Sequence, residues 1–262
     1  MSGIAVPWET MHASVHRGAG TPNQDHVELR VMAGAVLVLC VADGHGAPDA
    51  RRGHLGARWA AEELMRRVGT FARRIVELEG DPERWPELAE QAEDLCGEIC
   101  RCWHERVRMH EANGPGDGMA GTAPAGYRSS LLGAVLSHRL LFCWQCGEGD
   151  ISLIGERSSR VLFEEADTGE PRCRMRLHWQ SVDTLGGRGL VVLNSDGVSR
   201  GFADRSAHRA FTEGLYARVA ERDAQGVRDE LGSWLESLAG RSGDDASLVA
   251  AYVGDLRQGA AP

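Results

Sequence analysis

Acidic residues in this chain gather in four places far apart in sequence: Asn23-Gln24-Asp25, Asp43-Gly44-His45-Gly46, Ser195-Asp196-Gly197 and Gly243-Asp244-Asp245-Ala246-Ser247. Three apolar, strand-like runs adjoin them, at 35–42, 190–193 and 247–253. An aspartate abutting such a run is held on a rigid element near a sheet edge. Several carboxylates brought together there would repel one another unless cations neutralised them. All-oxygen donors suit hard divalent ions, and two such ions can activate water and clamp a phosphoryl group. Taken singly, Asp43-Gly44 and Asp196-Gly197 read as tight turns. Only the set points to chemistry.

The elements that must position these residues follow from periodicity. Short strands are expected at 11–16, 26–31 and 35–42, with Met32-Ala33-Gly34 as the turn of a hairpin. The pattern then becomes helical, with Leu55, Trp59, Ala60, Leu64 and Val68 spaced by three or four residues. Asp81-Pro82 reads as the cap of a second helix, whose apolar stripe runs Leu88, Ala92, Leu95, Ile99, Cys102, Trp103 and Val107. A Gly/Pro-rich stretch at 113–126 reads as a loop within one domain covering residues 1–262, because acidic clusters lie on both sides of it and need each other. Strands are expected again at 129–136, 140–145, 151–154, 160–163 and 174–179. Helices are expected at 203–222 and 224–239, and a strand at 247–253. Strict strand–helix alternation is absent, which argues against a doubly wound parallel sheet. The fold class expected is α+β, a four-layer αββα sandwich of two largely antiparallel sheets flanked by helix pairs.

Composition bounds the function. The chain has 262 residues and a formal net charge of −9. All 29 of its basic Lys/Arg positions are Arg. Schiff-base chemistry on a lysine and P-loop phosphate binding are therefore excluded, and an acidic chain with no basic run argues against a nucleic-acid partner. The first residues carry neither a basic segment nor an apolar one of signal type, and no apolar run approaches the ~20 residues needed to span a bilayer. The expectation is a cytoplasmic protein with reduced thiols, no membrane association and a monomeric state. Its seven cysteines form no regular framework. Cys143 and Cys146 have C-x-x-C spacing but fall within a strand, where residues three apart point to opposite faces. Cys96, Cys100 and Cys102 lie on or near a helix stripe and read as core thiols.

The motifs resemble those of the metal-dependent protein phosphatases, the PPM or type 2C Ser/Thr phosphatases, and among them the bacterial stand-alone type. Val41-Ala42-Asp43-Gly44-His45-Gly46, Asn194-Ser195-Asp196-Gly197-Val198 and Asp244-Asp245-Ala246-Ser247 are similar to three signature motifs, and Gly20-Thr21-Pro22-Asn23-Gln24-Asp25 to the first metal motif. Tyr127-Arg128-Ser129-Ser130-Leu131-Leu132 and Gln145-Cys146-Gly147-Glu148-Gly149-Asp150 resemble the middle motifs, with Ser129-Ser130 expected to pack. All six occur in the family's order.

The resemblance implies a metal-dependent hydrolase of phosphomonoesters on Ser and Thr, with two Mn²⁺ or Mg²⁺ ions and a hydroxide between them as nucleophile. Asp43 would bridge the ions and the Gly44 carbonyl would be a backbone ligand. Asp196 and Asp244 would complete one ion's shell, with Asp25 on the other largely through waters. His45 resembles the general acid for the leaving oxygen, a task suited to its ordinary pKa of ~6.5. Of Asp244 and Asp245, the first aligns with the metal position and the second caps the turn. The partner implied is a phosphorylated Ser/Thr protein, with the enzyme opposing a Ser/Thr kinase.

Three departures stand out. Arg17 is the nearby candidate for binding substrate phosphate, but it lies eight residues before Asp25 across a Gly/Pro segment. Gln24 replaces a frequent Glu. Glu148 and Arg200 occupy places where many relatives carry carboxylates for a third ion, and Arg200 opposes a cation there, although Asp150 or Asp204 would be alternative donors. These changes leave open a phosphatase-fold regulatory or binding module of weak activity, or an enzyme acting on a small phosphorylated metabolite.

Overall fold

The computed structural model describes residues 8–17, 22–44, 52–113, 125–163, 175–222 and 224–254. Ten strands are formed: β1 (Trp8–Val15), β2 (Asp25–Met32), β3 (Val36–Asp43), β4 (Leu131–Leu136), β5 (Leu140–Cys146), β6 (Asp150–Gly155), β7 (Ser159–Leu162), β8 (Arg176–Ser181), β9 (Gly189–Asn194) and β10 (Ala246–Val253). The helices are α1 (Gly53–Leu78), α2 (Trp85–Asn113), α3 (Asp196–Ser199), α4 (Arg205–Arg222) and α5 (Ala224–Ser242). One five-stranded sheet runs β1-β10-β9-β6-β7 and the other β2-β3-β4-β5-β8. Every described pairing is antiparallel.

Alternation along the strands builds the layers. On β3, Leu37, Leu39 and Val41 join Leu132, Ala134, Val191, Leu193, Val249 and Ala251 in a core between the two sheets. The intervening Val36, Val38, Cys40 and Ala42 pack outward against α1 and α2, with Leu64, Val68, Ile75, Leu88 and Ile99. On the other side Leu190, Val192, Leu248 and Ala250 meet Leu215, Val219, Leu231 and Leu235 of α4 and α5. Strands covered on both faces are apolar along most of their length, which is why 36–42 of β3 and 248–253 of β10 read as unbroken hydrophobic runs. The αββα arrangement matches the fold class expected from sequence.

Boundaries shift where local chemistry extends an element. The three residues between β2 and β3 place Ala33 at φ 49° and Gly34 at φ 77°, and the Ala35 N–H donates to the Met32 carbonyl across them. Helix α1 runs ten residues past Val68, because Phe71, Ala72, Ile75 and Leu78 continue its buried stripe. Asp81 does cap, accepting from the Glu83 N–H, but it opens a short 3₁₀ turn over Pro82–Arg84 before α2 begins. The Cys143 side chain lies between the sheets, and its neighbour Trp144 faces the helices. By strand parity Cys146 shares the Trp144 face and cannot join Cys143. Most of the 113–126 stretch lies outside the described residues.

Candidate metal centre

The register of the β2–β3 hairpin places Asp25 directly opposite Asp43. Two like charges face to face across a ladder are destabilising unless something neutralises them. Both side chains are buried, as is that of Asp196, which follows β9 in the opposite sheet. Asp43 and Asp196 lie close enough for the charge of Asp196 to raise the Asp43 carboxyl. Asp244 stands close enough to add to the repulsion on both. Thus Asp25, Asp43, Asp196 and Asp244, from four segments and two sheets, meet at one end of the sandwich.

Their ionisation reflects the crowding. Burial, followed by repulsion from Asp25 and Asp196, pushes the Asp43 carboxyl far above the usual carboxylate range. Burial raises Asp25 to about 6 against the opposing effect of the Ser247 and Ser195 hydroxyls. Asp196 is raised to about 7, again chiefly by burial, while Arg200 pulls it down. Carboxyls raised in this way favour the protonated form, and a divalent ion bound beside them would favour the charged one.

Whether the residues fit such ions can be judged from their free acceptors. Asp25 Oδ1 and Asp196 Oδ1 are buried and find no hydrogen-bond donor among the described residues, and the same holds for Gln24 Oε1. Buried oxygens left without donors are normally satisfied by something else. An all-oxygen set at this place suits Mg²⁺ or Mn²⁺. Among the described residues no three His, Cys, Asp or Glu side chains converge tightly enough to clasp an ion by themselves. The carboxylates meet in pairs, so backbone carbonyls and waters would have to complete each shell, as is usual for Mg²⁺.

Glycine is required at position 44 for a reason the sequence does not suggest. A Cβ there would lie 2.3 Å from the carbonyl carbon of Gly53 at the start of α1. The constraint arises from helix packing, and it carries the Gly44 backbone past the end of the ladder, where its N–H donates to the Gln24 carbonyl. Gly44 also bridges to Ser129, and the Ser130 N–H donates to the Asp43 carbonyl at 2.8 Å. Ser129 and Ser130 thus anchor the end of β3 through their backbone. Likewise a Cβ on Gly197 would sit 1.9 Å from the Asp245 carbonyl oxygen, so α3 and the loop before β10 touch backbone to backbone.

The two adjacent aspartates have different surroundings. Asp245 is buried and its carboxylate accepts from the Arg17 N–H (2.7 Å), the Gln24 N–H (2.9 Å) and His16 Nδ1 (3.0 Å). It therefore ties the chain on either side of residues 18–21 to β10, a larger task than capping its own turn. The Asp244 side chain is 51% exposed and turned toward Arg200 and the acidic cluster.

Ser195 is a supporting residue of this site that the sequence does not single out. Its hydroxyl donates to Asp25 Oδ2 at 2.8 Å and accepts from the Ser247 N–H at 3.0 Å. One side chain so links β2 of one sheet to β9 and β10 of the other. A Ser before Asp-Gly resembles any turn residue, and no signal in the sequence distinguishes it. Arg17 is exposed and engages through its backbone N–H. His45 lies outside the described residues. Asp204 caps α4 by accepting from the Ala207 N–H, and Asp150 opposes Asn194 in the β6–β9 ladder.

A two-sheet αββα sandwich with paired acidic side chains and unfilled buried oxygens at one end defines a metal-dependent hydrolase type of site. The sequence pattern of the family described as Protein phosphatase 2C matches residues 14–236, and the chain belongs to that family. Solved structures with the same fold include the catalytic domain of the serine/threonine protein phosphatase PstP in complex with two manganese ions, 13% identical over 95% of this chain and 99% of that one, TM-score 0.59. The S. agalactiae serine/threonine phosphatase is 12% identical over 94% and 99%, with a TM-score of 0.56. RsbX in complex with magnesium is 9% identical over 94% and 96%, with a TM-score of 0.52. Comparison with curated proteins finds no match. Among the described residues no helix is long and apolar enough to cross a membrane.

Proposed function

We propose that this chain is one catalytic domain that removes phosphate from phosphoserine and phosphothreonine in proteins, using two Mn²⁺ or Mg²⁺ ions. The observation that carries this reading is the convergence of Asp25, Asp43, Asp196 and Asp244, with buried carboxylate oxygens lacking donors. When bound, the ions would supply an activated water and offset charge on the phosphoryl oxygens. In this reading Asp43 would serve both ions, Asp196 and Asp244 would serve one of them, and Asp25 the other. The Gly44 carbonyl is the backbone candidate. Ser195 holds Asp25 in place, and Asp245 holds the chain that leads into it.

His45 directly follows Gly44, and we assign it the proton donated to the leaving Ser or Thr oxygen. Arg17 is assigned to substrate phosphate, with a guanidinium suited to bidentate contact. The partner is a phosphorylated protein, the opposing activity a Ser/Thr kinase, and the expected setting a monomer in the cytoplasm.

Purified protein with Mn²⁺ should release phosphate from a phosphopeptide, and Asp43→Asn should abolish release. Turnover that survives chelator or this substitution would defeat the mechanism. Faster turnover of a sugar phosphate than of a phosphopeptide would move the substrate to a small metabolite. Absence of Mn²⁺ binding by calorimetry would instead favour a regulatory module.

A further inference from the structure

Arg200 follows α3 immediately, and its guanidinium meets three carboxylates from three segments. Its Nη2 donates to Glu148 Oε2 at 2.6 Å, while Nη1 lies 2.7 Å from Asp196 Oδ2 and 3.7 Å from Asp244 Oδ2. The base of the side chain is well held. The Arg200 N–H donates to the Asp196 carbonyl at 2.8 Å. Gly201 packs so closely that a Cβ would lie 2.8 Å from the Leu238 carbonyl oxygen, and the Phe202 ring rests against Phe211.

A guanidinium stays charged at any pH a protein survives, and its planar fork can serve several carboxylates at once. The contact divides Asp196 in two. Oδ2 is committed to Arg200, while Oδ1 is buried and has no donor among the described residues. One carboxylate therefore faces an organic cation on its outer side and the buried cluster on its inner side.

We propose that Arg200 is a built-in cation of the acidic site. It neutralises the corner formed by Glu148, Asp196 and Asp244, keeps a divalent ion out of that corner, and leaves one oxygen of Asp196 for the inner centre. This rests on the reading of Asp196 and Asp244 as ion ligands. The number of ions the site takes is thereby limited by a side chain.

The test compares wild type with Arg200→Met, which keeps an apolar stem without charge, and Arg200→Lys, which restores charge. Mn²⁺ binding is measured by calorimetry, and melting is followed in chelator and at saturating Mn²⁺. Arg200→Met is expected to bind one more Mn²⁺ per chain than wild type. It should melt lower in chelator, where the carboxylates lose their counter-charge, and Mn²⁺ should close that gap. Arg200→Lys should keep the wild-type ion count. Equal counts in Arg200→Met and wild type, with a melting deficit that persists in Mn²⁺, would overturn the proposal and leave an ordinary surface ion pair. If neither protein binds Mn²⁺, the two-ion reading fails and takes this inference with it. Binding with equal counts removes Arg200's role alone.

Discussion

Asp244 and Asp245 are neighbours with the same chemistry, so exchanging each for Asn separates architecture from metal binding. Asp245 is 7% exposed, and its carboxylate accepts from two backbone N–H groups and His16. Hydrogen bonds to a charged acceptor contribute ~1.5–3 kcal/mol each. An Asn keeps one acceptor oxygen but turns an NH₂ toward a donor, so one such bond is lost and one donor is left buried. Asp245→Asn should therefore cost ~2–4 kcal/mol. For a chain of this size that is a fall of roughly 5–15 °C in melting temperature. Asp244 is half exposed, accepts from the Asp245 N–H and stands 3.7 Å from Arg200. Its exposed pairing contributes ~1 kcal/mol at most, and its removal relieves repulsion on Asp43 and Asp196. Asp244→Asn should melt close to wild type in chelator but bind Mn²⁺ more weakly and gain less from it. Asp245→Asn should show the reverse, a low melting point with Mn²⁺ affinity kept when titrated well below it. Melting curves in chelator and in Mn²⁺, with calorimetric titration, give both readouts. If Asp245→Asn melts like wild type, or if Asp244→Asn binds Mn²⁺ unchanged, the division of labour between them is wrong.

Further outcomes follow from the same geometry. Ser195→Ala removes the donor to Asp25 and the acceptor for Ser247. Supporting groups of this kind typically change metal affinity or activity by ~10–100-fold, and an unchanged Mn²⁺ titration would contradict the assigned role. Gly197→Ala forces a methyl to within 1.9 Å of the Asp245 carbonyl oxygen. Overpacking costs ~1–3 kcal/mol or more, and the displaced loop should also weaken Mn²⁺ binding, so a native melting point would show that the contact is not rigid. In chelator, stability should depend on pH through the buried carboxyls. Folded values of about 6 for Asp25 and about 7 for Asp196 exceed the unfolded value of ~3.9. The folded state then binds more protons, so this contribution is complete below about pH 4 and is lost as pH rises through 6 to 7. Stabilisation by Mn²⁺ should grow across the same window, and a metal-free protein whose stability rises there would contradict the raised carboxyls.

The legible part of this protein was the part set by local pattern. Runs such as 35–42 are apolar at every position because their strands are covered on both faces, and that alone implied stacked sheets with helices outside. The order of Asp25, Asp43, Asp196 and Asp244 beside such runs was equally open to reading. Ends of elements were less so, since the extension of α1 to Leu78 depends on the surface it covers. Other decisions needed the chain in space. The ladder register put Asp25 opposite Asp43, and nothing along the sequence specifies that two aspartates 18 positions apart will face each other. The distinct tasks of Asp244 and Asp245 come from which one turns toward His16, Arg17 and Gln24. Gly44 is dictated by Gly53, Ser195 gains its role by reaching across to the other sheet, and Arg200 by meeting three carboxylates at once. Periodicity is encoded among near neighbours and survives reading in one dimension. Electrostatic environment depends on groups brought together from distant segments, and only the packed structure determines it.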